Sequence, residues 1–333
     1  MWFIYSKIKK SDLPKRLDVG TMLSRRNIRV KVMQCLYAIN RDKSYDGDLD
    51  LCTQVYRDSI RQSYELYLFN MLQLREVCKY SLKDEAHRKG KHLPSEFDKK
   101  FSSKLYANPL IQSTFKDIGF IAALAKSKVD RFITEDNTRL LYNDFAKTRE
   151  YKTYLKNPNT TVSDDLELLL FLFKFSVTGE IYNDLMDNYY SNWWDDKSLV
   201  VGAVKKTLKA LPLREGYIKG LRPGEDTVTE FGEALLQDVL RHDDKLLEHI
   251  VPTLNNWDAE RVAVIDMVLL KMALSELLNF PTIPTKVTLN EFVEIAKLYS
   301  TEKSKDFING ILDRLLKKLN QEGLIKKEGR GLI

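Results

Sequence analysis

The sequence is poor in the residues that punctuate a chain, with 9 prolines and 14 glycines among 333 residues. An all-β sandwich or barrel needs a turn signal every few residues, so that scarcity argues against one. Cysteine is scarcer still. Cys35, Cys52 and Cys78 are separated by intervals that match no CxxC pattern, and an odd count does not suit a secreted disulfide framework. A reducing, cytoplasmic compartment is expected. The four histidines, His87, His92, His242 and His249, are too far apart to share a metal with a third ligand, so no metal site is expected. No apolar run approaches the length of a membrane span; the longest, Leu166–Phe175, reads as a buried helix.

What is present is a near-neutral body with a charged beginning. The net charge is +6, yet residues 1–43 alone hold eleven bases against three acids, a net +8. The other 290 residues therefore sum to −2. A smaller basic stretch closes the chain, with six bases against two acids in residues 314–333. Charge gathered in one segment points to an anionic partner more than an evenly spread excess does.

Helical periodicity dominates. Ile28, Val32, Cys35, Leu36 and Ile39 form one face of a helix from about Ser24 to Asn40, with Ser24 as N-cap. Residues 1–21 read as a loosely ordered extension, with Met22 a candidate true start. A second helix is predicted after Asp46-Gly47-Asp48, running to about Tyr80. Residues 83–104 read as an exposed connection, and helices resume from Asn108 to about Leu155 with a break at Thr134–Asp136. The strongly apolar helix 164–178 is predicted to be capped by Ser163-Asp164-Asp165. Gly216, Gly220, Pro223 and Gly224 make the best linker, and Tyr217–Leu221 is read as an isolated, possible extended piece. Asn192-Trp193-Trp194-Asp195 and Asn256-Trp257-Asp258 suggest a weak internal echo; Trp193, Trp194 and Trp257 are expected in a core or seam.

Arg25, Arg26, Arg29 and Lys31 lie in the first turns of that first helix, where the macrodipole favours acids. On helical geometry the three guanidinium groups are expected to point outward together, ready for phosphates. The opposing reading is a merely solvated helix face.

The last third, from Val228 to about Leu319, reads as a compact helical unit with short loops. Its wording is specific: Asp266-x-x-Leu269-Leu270-x-Met272-Ala273-x-x-Glu276-Leu277-Leu278, then Ile283-Pro284-x-Lys286-Val287-Thr288-Leu289-Asn290-Glu291, then Ala296-Lys297-x-Tyr299-Ser300, then Ser304-x-x-Phe307-Ile308-Asn309-Gly310-Ile311-Leu312-Asp313. These strings, together with Arg25-Arg26-x-x-Arg29 and Gln34-Cys35-Leu36-Tyr37, resemble the NusB family of transcription antitermination factors.

The resemblance implies an all-α, NusB-like bundle of two packed subdomains. It implies a non-enzymatic RNA-binding factor that recognises the boxA element of ribosomal RNA leader transcripts. The implied partners are the ribosomal protein NusE, other Nus factors and RNA polymerase, with no cofactor. By position, Arg25, Arg26, Arg29 and Lys31 would meet RNA, Lys303, Lys305 and Phe307 would extend that surface, and Tyr37 would face NusE. The chain is about twice the length of ordinary family members. Residues 45–225 are therefore expected to be a helical insertion between the first helix (22–44) and a C-terminal subdomain (226–320), with 321–333 a basic flexible tail. An RNA-modifying enzyme with a NusB-like domain is the alternative, disfavoured because no cysteine has a catalytic setting; a protein-interaction scaffold without RNA binding is the other.

Overall fold

The computed structural model describes residues 21–45, 47–254 and 259–332. Among these residues every regular element is helical, as an all-α fold requires, and no helix is long and apolar enough to cross a membrane. The expected 1–21 extension, save Thr21, and the Asn256-Trp257-Asp258 half of the suspected echo lie outside the described residues.

The chain divides into two compact units. One holds Leu23–Ile60 with Pro223–Ile333, and the other is built on Arg61–Arg222. By compactness, then, the first dozen residues after Asp48 belong with the first helix, although the sequence places them in the insertion.

In the first of these units, Ser24 caps the helix Arg25–Arg41 reciprocally: its Oγ accepts from the Asn27 N–H at 3.3 Å, and Asn27 Oδ1 accepts from the Ser24 N–H at 3.1 Å. This helix packs on Val264–Asn279 and on the turn Asp226–Glu233, which is wound as a π-helix. Gly232 makes that approach possible. A Cβ there would stand 2.5 Å from Ile28 Cγ2 and closer still to the Tyr56 hydroxyl, which donates to the Val228 carbonyl at 3.0 Å. Val264–Asn279, Thr285–Tyr299 and Ser304–Gln321 pack mutually as a three-helix unit. The first is apolar on nearly every side and buried from Val268 to Leu277 except Lys271, as a helix at the centre of its neighbours must be.

The other unit is arranged around the predicted apolar helix, which spans Val162–Thr178. Its cap is Thr161 rather than Ser163, in a reciprocal box with Asp164. Helices Pro109–Lys116, Glu135–Phe145, Arg149–Lys156, Glu180–Tyr189 and Trp193–Lys209 surround it. Trp193 is wholly buried, its Nε1 donating to Asn183 Oδ1 at 3.1 Å, whereas Trp194 is 58% exposed, contrary to expectation.

Two further readings are corrected. The second helix runs on from Leu49 to Lys89, taking in the start of the stretch 83–104 read as a connection; the rest of that stretch is largely exposed and holds one short helix, Glu96–Lys100. The last turns of Leu49–Lys89 are held by Arg88–Asp84 and Lys89–Glu85 pairs four residues apart and end on three basic side chains that suit the carboxyl end of the dipole. Tyr217–Leu221 is a short helix, with Tyr217, Ile218 and Leu221 buried.

Candidate functional site

The amino end of the first helix carries Arg25 and Arg26 in its first turn, with no acid there to offset the dipole. Carboxylates from two remote helices supply that offset. Arg26 Nε and Nη2 donate to Glu291 at 2.8 and 2.7 Å, and Arg29 Nε and Nη2 donate to Glu276 at 2.7 and 2.8 Å. Arg29 Nη1 lies 3.6 Å from the second carboxylate, Glu291. Thr288 Oγ1 donates to Glu276 at 2.8 Å, filling a remaining lone pair. The Phe231 ring, brought in by the π-turn, lies under both Arg25 and Arg29, with guanidinium carbons 5.3 and 5.1 Å from its centroid.

The expectation of three outward guanidinium groups is therefore corrected. Arg29 is buried against Glu276, and Lys31 is buried too. Both lie on the stripes of the apolar face, Arg29 in line with Val32 and Leu36, Lys31 with Ile28 and Cys35. Arg25 and Arg26 remain exposed. They border a shallow groove of about 650 Å³ whose other wall is Thr282–Pro284 and Val287.

Glu291 is held below the usual carboxylate range, chiefly by its hydrogen bond from Arg26 and then by the charges of Arg29 and Arg26. Glu294, one helical turn on, is also lowered, first by Lys297 and then by the charges of Arg26 and Lys305. Arg26 and Lys305 thus both act on one carboxylate.

Lys303 and Lys305 are exposed where the last helix begins, and Phe307 is half-buried in its first turn. The loop ahead of them is pinned by Asp266. This buried carboxylate accepts from Ser300 Oγ at 2.6 Å and from Ser304 Oγ at 2.7 Å. Tyr37 sits in the last turns of the first helix, half-buried, its hydroxyl accepting from Arg41 at 3.0 Å. The basic tail is fastened by Lys327, whose ammonium donates to the Phe280 carbonyl at 3.0 Å at the end of Val264–Asn279.

Sequence reasoning missed the anchoring acids. Glu276 and Asp266 stood inside the quoted strings, and their acid character inside an otherwise apolar helix was the available signal. Among the described residues, no group of three or more His, Cys, Asp or Glu side chains is placed to hold a metal ion.

A family model described as the NusB family matches residues 211–317. "Transcription antitermination protein NusB" of Salinibacter ruber is 44% identical over 110 residues, which are 33% of this chain and 69% of that protein. The protein of the same name from Trichlorobacter lovleyi is 40% identical over 114 residues, 34% of this chain and 75% of its own length. That from Chloroherpeton thalassium is 38% identical over 120 residues, 34% of this chain and 56% of its own length. No solved structure matches. The first helix lies outside the residues matched by the family model, yet its Arg29 is paired with Glu276 inside them. Carried by a C-terminal third that aligns with most of the length of two curated relatives, the chain belongs to the NusB family of transcription antitermination proteins.

Proposed function

We propose that this protein is a non-enzymatic, cytoplasmic RNA-binding antitermination factor. In this reading it recognises boxA-type leader RNA together with NusE and acts with other Nus factors and RNA polymerase on ribosomal RNA transcription. The observation that carries it is the pair Arg25 and Arg26, exposed at a capped helix amino end and backed by a buried arginine–carboxylate anchor. Guanidinium forks and the positive end of a helix both suit phosphate.

In this reading Arg25 and Arg26 contact the RNA backbone, and Lys303 and Lys305 add charge from the start of the last helix. Phe307 offers a partial ring to a base, and Tyr37 faces NusE. Arg29 and Lys31 are positioning residues rather than contacts, because burial removes them from the ligand. The insertion into the family fold is read as lying within residues 45–225, its body being the unit built on Arg61–Arg222.

The test is binding of a boxA-containing leader fragment to the full chain, with and without NusE, across a salt series. Arg25→Ala/Arg26→Ala is expected to weaken binding and to reduce the slope of log K against log salt by about 2, one per lost phosphate contact. An unchanged slope overturns the assignment.

A further inference from the structure

The unit built on Arg61–Arg222 contains a helix that is apolar on two faces. Ile118–Ser127 reads Ile-Gly-Phe-Ile-Ala-Ala-Leu-Ala-Lys-Ser. Phe120 and Leu124 point inward and are buried. Ile118, Ile121, Ala122 and Ala125, at the i, i+3, i+4, i+7 spacing of a single stripe, all face solvent. Ile118 is 83% exposed and Ile121 is 45% exposed. A helix that is apolar all round normally lies in an interior, so the outward stripe marks a missing neighbour.

Beside this stripe, and continuous with it through Ala122, runs a groove of about 370 Å³ within the same unit. Its floor is Gly119, Ala122, Ala123 and Ile218. The rim is cationic: Lys126, Lys219, Arg222 and Arg61 against the single acid Glu65, which already pairs with Arg61 at 2.8 Å. Lys126, Lys219 and Arg222 make no ion pair among the described residues.

We propose that this groove and stripe dock an acidic, amphipathic segment of a partner protein, its apolar face on Ile121, Ala122 and Ile218 and its carboxylates on Lys126, Lys219 and Arg222. Charge complementarity selects the sign of the occupant. The chain's own first twenty residues, with five bases and two acids, carry the wrong sign. The floor selects its class. A single-stranded nucleic acid asks for open aromatic faces, whereas here the floor is aliphatic and the lining aromatic, Tyr64, lies under the Arg222 guanidinium, 5.7 Å from its ring centroid. An amphipathic helix laid into an apolar groove with a charged rim is a recurrent recognition mode.

The probe is a synthetic helical peptide of about eighteen residues, Leu at i, i+3, i+4, i+7 and Glu on the flanks. Its binding to the full chain is followed by fluorescence anisotropy. The same peptide with Lys for Glu, and a single-stranded RNA of equal length, are run beside it. The acidic peptide is expected to bind, and Lys126→Glu/Lys219→Glu and Ile121→Asp are each expected to weaken it by about tenfold or more. Binding by the first variant should also lose its salt dependence. Both variants change exposed side chains, and an unaltered unfolding midpoint and boxA affinity confirm that each chain is folded. Failure of the acidic peptide to bind, indifference to both variants, equal binding of the lysine peptide, or a loss confined to the RNA overturns the proposal.

Discussion

Arg29 meets both oxygens of Glu276 through Nε and Nη2 at 2.7 and 2.8 Å, with side-chain exposures of 3% and 0%. Two full charges out of water are tolerable only with bidentate geometry and the remaining sites filled, here by Thr288 and Glu291. Removing one partner strands the other. Arg29→Ala or Glu276→Ala is expected to cost about 3–5 kcal/mol, whereas Arg29→Met/Glu276→Leu recovers most of the loss because no charge is left buried. The measurement is the urea midpoint. Single variants that unfold at the midpoint of the parent would show that the pair holds nothing together.

The same pair shows what the sequence could and could not disclose. The helix of Arg25–Arg41 was legible because Ser24, Ile28, Val32 and Leu36 all say so locally. The apolar helix Val162–Thr178 was legible for the same reason. Arg29 was misplaced because its environment is built by Glu276, 247 positions away. Local pattern marks a long cation as solvated, and only a remote carboxylate reverses that. Lys83–Lys89 was misread as a connection because a helix end stabilised by i,i+4 ion pairs has no apolar stripe to announce it.

Glu291 divides its attention between structure and the proposed ligand. Its carboxylate neutralises Arg26, which a phosphate must then compete for. Glu291→Gln is expected to raise affinity for boxA RNA by a few-fold; the Arg26 side of the pair is half exposed and is worth only about 0–1 kcal/mol of stability, and the glutamine oxygen can still face Arg29. The acid dependence follows from the sign of the shift. A carboxylate depressed in the folded state stabilises above its ordinary pKa of about 4.3 and loses that contribution as the pH falls through its lower folded value. The Glu291→Gln protein should therefore lose less stability than the parent on acidification below about pH 4.3, read as the shift in thermal midpoint.

Gly232 sits where the π-turn meets the first helix. A methyl group there would collide with Ile28 and with the Tyr56 hydroxyl, neither of which ends a flexible chain. Gly232→Ala is expected to destabilise by about 1–3 kcal/mol through overpacking. The variant also pushes Phe231 away from Arg25 and Arg29, so boxA binding should fall with it. A midpoint equal to that of the parent would mean the turn has room to move.

Asp266 offers the sharpest separation of positioning from contact. It touches no solvent-facing cation, yet it fixes Ser300 and Ser304 on either side of Lys303. Asp266→Ala removes the carboxylate that both hydroxyls donate to, leaving only the Ser300–Ser304 and Thr301–Ser304 hydroxyl contacts, and is expected to cost about 1–3 kcal/mol. If Lys303 and Lys305 meet RNA, Lys303→Ala/Lys305→Ala weakens binding in the parent. In the Asp266→Ala background the same pair of changes should matter less, because the loop no longer holds the two ammonium groups in place. Residues that act through one another are non-additive, while independent ones add within about 0.3–0.5 kcal/mol. A double-mutant cycle on RNA affinity that closes additively would separate Asp266 from the RNA surface and leave it as a clamp of the three-helix unit alone.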